Sequence, residues 1–369
     1  MSYSTRFTFV GKPVIPNSNG KMVFYKNDTI GDKNIPYKAI KFGIKDTGNN
    51  IGFVDLMGLK FNTLKVPNEE GEWVDVDWED RNEKSTINAL PFYRLYTVNL
   101  GEDYGGRKVF TTQYDCAEFL NETLPSYKGN VMVTGDVEKN VKDDKIYTQY
   151  NIRNVFAVDE NAKTKLEISA DIFYDKDAVD VADFKSEKKV TIEAFTYEYV
   201  RTLQSSYFFP FNVVLSAEKY DMSNELHKKR WDYLMGYFKS IPKNKLFHLT
   251  WTCRLLNGAQ VVEFDESTLT ESQKMQLELG LCTLDDFRPA GQIYGESISE
   301  IRLVTPILKG DYVDGVLKAE TTLKEFEDEK YLNAYKKSSE NTDIAETITE
   351  AETESSKDDN KLDDLEDLF

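Results

Sequence analysis

Histidine is almost missing from this sequence. His227 and His248 are the only two, and the three cysteines, Cys116, Cys253 and Cys282, lie far apart. No Cys/His grouping has the spacing of a zinc site, so no metal centre is expected. An odd, scattered set of thiols does not suggest a disulfide framework and suits a reducing compartment. Long apolar runs are lacking too: no stretch approaches the ~20 residues that a membrane-spanning helix needs. The segment behind Met1, Ser-Tyr-Ser-Thr-Arg, carries no signal-peptide core. A soluble, cytoplasmic protein is expected. Catalytic signatures are missing as well. No phosphate loop occurs, and Gly105-Gly106-Arg107-Lys108 reads as a hairpin turn. The Gly-x-Ser-x-Gly and His-Glu-x-x-His patterns are absent. Carboxylates are plentiful, but none is set apart as a working pair. The expectation is a protein that is not an enzyme and takes no cofactor.

Aromatic and acidic residues are what the chain has in excess. It carries 21 tyrosines and 22 phenylalanines, a surplus that fits β-sheets, stacking surfaces or both. The net charge of −18 is unevenly spread: from Glu340 onward twelve acids face two lysines, so this tail holds −10 and the rest −8. The tail has no aromatic residue until its last position, and such a composition buries too little area to offset chain entropy, so residues 338–369 are expected to be disordered. It closes on Asp363-Asp364-Leu365-Glu366-Asp367-Leu368-Phe369, an acidic run with an apolar hook.

Ahead of the tail the periodicity is mainly that of strands. Residues 5–15, 37–45 and 51–59 alternate, the last two as a hairpin across Asp46-Thr-Gly-Asn-Asn. Residues 67–90 form an acidic inserted hairpin bearing Trp73 and Trp78, for which a protein contact or packing on the body is favoured over nucleic acid. Strands at 92–99 and 107–112 follow, then a helix at 114–124, then strands at 130–140 and 145–158. Strand, strand, strand, helix, strand, strand is the order of an oligonucleotide-binding barrel. The plan recurs: strands at 165–174, 189–203 and 207–216, a helix at 223–239 capped by Ser223, a strand at 246–257, a short inserted helix at 270–279 and a last strand at 298–308. The fold expected is mainly β: two five-stranded barrels (1–160 and 161–318), a charged helical segment (319–337) and the tail.

Aromatic and basic residues sharing a strand face are the candidates for binding. On 189–203, Phe195, Tyr197, Tyr199 and Arg201 oppose Ile192, Ala194 and Val200. Bases stack on such rings and cations track phosphates; the same face would also serve for packing within the protein. In the first half the candidates are Tyr37, Lys41 and Lys45 on one strand, Arg94 and Tyr96 on another, then Lys108 and Phe110. On the last strand Tyr147 and Arg153 oppose Ile146, Ile152 and Phe156. Trp251 shares parity with Phe247, Leu249, Cys253 and Leu255 and reads as core.

The segment Gly129-Asn-Val-Met-Val-Thr-Gly-Asp-Val-Glu followed by Lys145-Ile-Tyr-Thr-Gln-Tyr-Asn-Ile-Arg-Asn-Val resembles the closing hairpin of an oligonucleotide-binding barrel. The terminal Asp-Asp-Leu-Glu-Asp-Leu-Phe resembles the acidic tail of single-stranded DNA-binding proteins. Together they resemble a bacteriophage-type single-stranded DNA-binding family. That resemblance implies a role in DNA replication or recombination, in the host cytoplasm if viral. It also implies a tail that recruits polymerase, helicase or primase-class partners through Asp363, Asp364, Leu365, Asp367, Leu368 and Phe369, and that competes with DNA. The chain departs from the bacterial pattern in its fused halves, its Asp-Leu-Phe ending and its acidic hairpin, so a homo-oligomer is left open. An alternative reading is a structural or interaction protein whose aromatic faces are protein interfaces.

Overall fold

The structure is a computed structural model, and it describes residues 3–16, 22–31, 33–46, 50–142, 145–200, 205–239, 241, 245–262, 269–283, 287, 293–307, 309–313, 316–320 and 324–326. The first half runs β1 (Arg6–Val14), β2 (Tyr25–Ile30), β3 (Ile35–Lys45), β4 (Ile51–Leu59), β5 (Thr63–Pro67), β6 (Trp73–Asp77), α1 (Lys84–Ala89), β7 (Tyr96–Asn99), β8 (Arg107–Phe110), α2 (Gln113–Thr123), β9 (Asn130–Lys142) and β10 (Lys145–Val158). The second runs β11 (Lys165–Tyr174), β12 (Val179–Asp180), α3 (Phe184–Glu187), β13 (Lys189–Ile192), β14 (Phe195–Val200), β15 (Ser205–Pro210), β16 (Val213–Ser216), α4 (Glu225–Lys239), β17 (Leu246–Val262), α5 (Glu271–Glu278) and β18 (Ile293–Pro306). Three short strands follow: β19 (Lys309–Val313), β20 (Val316–Glu320) and β21 (Lys324–Phe326). The protein is mainly β.

Pairing follows the same path in both halves. β1 pairs with β3, β3 with β4, β4 with β10, β10 with β9, and β9 with β1. In the second half β11 pairs with β14, β14 with β15, β13 with β16, β16 with β18, β18 with β17, and β17 with β11. The β4–β10 and β16–β18 contacts are parallel and the others antiparallel. Two separate sheets do not result. β1 also pairs antiparallel with β11, Arg6 opposite Ser169, so the strands join in one large hydrogen-bonded sheet. Polar side chains reinforce that junction. Asn50 Nδ2 donates to the Leu255 carbonyl at 3.0 Å, and its Oδ1 accepts from the Asn257 N–H at 2.6 Å. Arg254 pairs with the buried Asp46 at 3.1 Å.

Alternation places the core. Phe7, Phe9, Ile40, Phe42, Ile44, Val54 and Leu56 point inward and are buried. Helix α2 covers them with Cys116 and Leu120. Its start is capped by Thr112, whose hydroxyl oxygen accepts from the Asp115 N–H at 3.2 Å. It lies so close to β4 that a Cβ on Gly58 would stand 2.0 Å from the Tyr114 nitrogen, so only glycine fits there. In the second half α4 buries Trp231, Leu234, Met235, Tyr237 and Phe238. Trp231 and Trp251 are wholly enclosed, the latter stacked on Phe238 with centroids 5.7 Å apart.

Several elements differ from the sequence expectation. Residues 189–203 are not one strand: the chain breaks at Glu193-Ala194, where Phe211 N–H instead bonds the Ala194 carbonyl. Residues 92–94 form a 3-10 turn, leaving only 96–99 extended. The insertion begins earlier, at Thr63, as a β5–β6 hairpin followed by a 3-10 turn over Trp78–Asn82 and by α1. Helix α4 is capped by Asn224, whose Oδ1 accepts from Leu226 N–H, and not by Ser223; Leu226 itself is exposed. A bulge between Ile152 and Asn154 resets the alternation of β10, so Val155 takes the buried place expected for Phe156. Lys324–Phe326 is a strand on β17 where a helical segment was expected. The free edge of β17 at Leu246–His248 supplies backbone partners that outweigh the helical preference of a charged run. The tail lies outside the described residues.

Candidate nucleic-acid interface

Antiparallel partners share a sheet face, so register alone brings a set of side chains together on the side of β3 and β4 away from the core. Tyr37 stands opposite Leu59, Lys41 opposite Asp55, Gly43 opposite Phe53 and Lys45 opposite Ile51. Asp55 meets Asn151 of β10, and along the β9–β10 pair Gln149 faces Glu138 and Tyr147 faces Asn140. Phe53 settles over Gly43: a Cβ there would lie 3.3 Å from its ring. β1 contributes Lys12, paired directly across from Lys45, and β2 contributes Lys26, across from Ala39. Two like charges held opposite each other repel, and an anion between them removes that repulsion. Lys12, Lys26 and Lys45 have no ion-pair partner among the described residues. Lys12, Lys26 and Phe53 were not among the residues singled out from the sequence. The β2 segment YKNDTI lacks a clear alternation, and Phe53 is recognisable only through its glycine partner.

Lys41 is less free. Its Nζ lies 3.8 Å from Asp55 Oδ2. Burial pushes Asp55 up to about 6, Lys41 opposes the rise and Glu138 adds to it. Asp55 therefore binds its proton more tightly folded than unfolded. The stability that protonation confers is complete below about pH 4 and is lost as pH rises through about 6. Asp55→Asn is expected to stabilise the protein by about 2 kcal/mol at pH 7 and by much less at pH 4, read by urea unfolding at the two values.

Of the remaining first-half candidates, Tyr147 has the parity of this face, farther out along the β9–β10 pair, and the others are placed elsewhere. Arg94 is exposed in the 3-10 turn, its guanidinium stacked 4.2 Å from the Trp73 ring. Tyr96 is buried, and its hydroxyl accepts from Arg153 Nη1 at 2.9 Å. Arg153 is further held by Asp136 at 2.9 Å. Phe110 packs on Phe119, and Lys108 lies exposed on β8. Tyr147 is exposed on the long β9–β10 hairpin.

In the second half the aromatic face of β14 is largely covered. Phe195 and Tyr197 pack with Phe173, Phe208, Leu246 and Tyr3 in a small core of their own, Tyr197 and Phe208 at 4.7 Å. Tyr3 and Phe173 also enclose His248, which bonds Asp171 at 3.0 Å; Thr250 and the Ser4 N–H complete that carboxylate's contacts. Burial raises Asp171, but these bonds hold it below the usual carboxylate range. Tyr199 stands clear at 61% exposure. Arg201 lies outside the described residues.

Among the described residues no cluster of three or more His, Cys, Asp or Glu side chains could hold a metal, and no helix is long and apolar enough to cross a membrane. The chain matches no protein-family model and no curated protein. Among solved structures it is similar to a deletion mutant of the single-stranded DNA binding protein from Thermus aquaticus, at 11% identity and a TM-score of 0.30, over 70% of this chain and 89% of that chain. So distant a likeness carries no argument about fold or function, which rest on the residues themselves.

Proposed function

We infer that this protein binds single-stranded DNA without base readout, as a non-enzymatic replication or recombination protein. Each half is read as an oligonucleotide-binding barrel, the two joined edge to edge through β1 and β11. The observation that carries the reading is the outer face of β3 and β4, where Tyr37 and Phe53 lie among Lys12, Lys26, Lys41 and Lys45. Strands two and three of such barrels form their usual ligand face. Rings supply sequence-tolerant stacking and lysines track the phosphates. Quenching of tyrosine and tryptophan fluorescence by poly(dT) tests this, and an absence of binding at low salt overturns it. Affinity should fall steeply as salt rises, because counterion release drives phosphate contacts.

The acidic tail is read as a recruiting segment for polymerase-, helicase- or primase-class partners and as an internal competitor for the lysine-bearing face. Removing residues 340–369 takes away a net charge of −10. The truncated protein is expected to bind poly(dT) several-fold more tightly at low salt, with the gain vanishing at high salt. Weaker binding after truncation would exclude a competing tail. The covered ring face of β14 and a net −8 outside the tail favour a second reading, a protein-interaction module. Under it the tail-less protein shows no mobility shift with DNA.

A further inference from the structure

Two surfaces unused by the DNA reading complement each other. The first is the insertion between β4 and β7. Eight carboxylates against Arg81 and Lys84 give residues 67–90 a net charge of −6. The insertion is fixed on the body: Arg81 pairs bidentately with Asp115 at 2.8 and 3.0 Å and donates to the Trp78 carbonyl, while Trp78 packs edge-on against Tyr114 of α2. Several of its large apolar side chains are nevertheless left in water. Trp73 is 44% exposed, Phe92 72% and Tyr93 68%, the last two preceding Arg94, whose guanidinium stacks on Trp73. Glu69, Glu70, Glu72 and Asp77 lie on the same β5–β6 hairpin as Trp73, with no cationic partner among the described residues. Rings that large, held rigid and wet, mark an interaction surface. The acids make a phosphate backbone an unfavourable occupant.

The second surface is the outer side of α4. Its inner side buries Trp231, Leu234, Met235 and Phe238. Outward, Leu226, Lys229, Arg230 and Tyr233 follow at helical spacing, Leu226 and Tyr233 more than half exposed. Lys228, Lys229 and Arg230 are three consecutive cations with no ion-pair partner among the described residues. An acidic insertion bearing exposed rings and a basic helix face with exposed apolar residues are complementary in both charge and polarity.

We propose that the insertion of one copy docks on α4 of a second copy, so that copies add head to tail. The two surfaces are different, so the contact is heterologous and does not close into a two-fold dimer; each added copy leaves one free surface of each kind. The patch is small, so the contact is weak in isolation and sensitive to salt.

Sedimentation of the full chain over a concentration series at low salt is expected to show an average mass that climbs beyond a dimer and returns to the monomer at high salt. Glu69→Lys, Glu70→Lys and Glu72→Lys together should leave a monomer, as should Lys228→Glu, Lys229→Glu and Arg230→Glu together. Mixing the two variants should restore association, because each retains the surface the other has lost. Trp73→Ala with Phe92→Ser, which changes no charge, should weaken association about tenfold or more, separating this contact from general attraction to the acidic tail. Lys228 is half-buried, Trp73 is 44% exposed and the other substituted side chains are exposed, and circular dichroism checks that the variants fold. A monomer at every concentration, a mass that stops at the dimer, or association indifferent to these variants would overturn the proposal.

Discussion

Tyr37→Ala combined with Phe53→Ala is expected to weaken binding to oligo(dT) by about 2–6 kcal/mol, thirtyfold or more, while leaving the fold intact. A base stacked on an aromatic ring contributes about 1–3 kcal/mol by alanine substitution. Both rings lie on the outer side of the β3–β4 hairpin, whereas the core side is filled by Ile40, Phe42, Ile44, Val54 and Leu56. Truncating them opens no cavity in that core, so urea unfolding should change little. The charge terms behave differently. Lys45→Ala should lower both the affinity and the slope of its salt dependence, because one phosphate contact is removed. Asp55→Asn should act in the opposite direction, freeing Lys41 and binding more tightly at pH 7. In the unsubstituted protein binding should tighten as pH falls from 7 to 5, since Asp55 takes up its proton near 6 and stops neutralising Lys41. Fluorescence titrations of both variants at the two pH values check this. An unchanged affinity in the Tyr37 and Phe53 double variant would move the interface off this face.

Trp251→Ala should cost about 3–5 kcal/mol of folding stability, enough to unfold a marginal protein at moderate temperature. The ring is fully enclosed, stacked on Phe238 and touched edge-on by Tyr237, both from α4. It therefore joins β17 to the helix above it, and alanine would leave a void bounded by rigid rings. Trp251→Phe should cost clearly less. The indole Nε1–H is buried with no hydrogen-bond partner among the described residues, so exchange for phenylalanine removes that donor as well as volume. Thermal and urea unfolding of the two variants would separate the packing loss from the polar gain. Equal losses would mean that the N–H is satisfied in solution.

How much of this could be read from the residues depended on the kind of interaction involved. Period-two alternation placed β3, β4, β9, β10 and β11 almost to the residue, because inward positions must be apolar whatever lies beyond the strand. The parity that puts Trp251 in the core followed for the same reason. Alternation says which side of a strand a residue takes, not what covers that side. Phe195, Tyr197 and Tyr199 have one parity, yet Tyr3, Phe173 and Phe208 cover the first two and leave the third in solvent. Likewise Arg153 and Tyr147 have one parity in the sequence, but the bulge turns Arg153 toward Tyr96 and Asp136. Lys12 and Lys45 are far apart in the chain and become a pair only through β1–β3 register. The sequence alone therefore sets most strands and helices and their inward faces, all of which depend on near neighbours. Which lysines and rings share one open face depends on pairings between strands distant in the chain, and on the pairing of β1 with both β9 and β11 that makes one sheet of two similar halves. Those choices are made by long-range hydrogen bonds and burial, which no local pattern encodes.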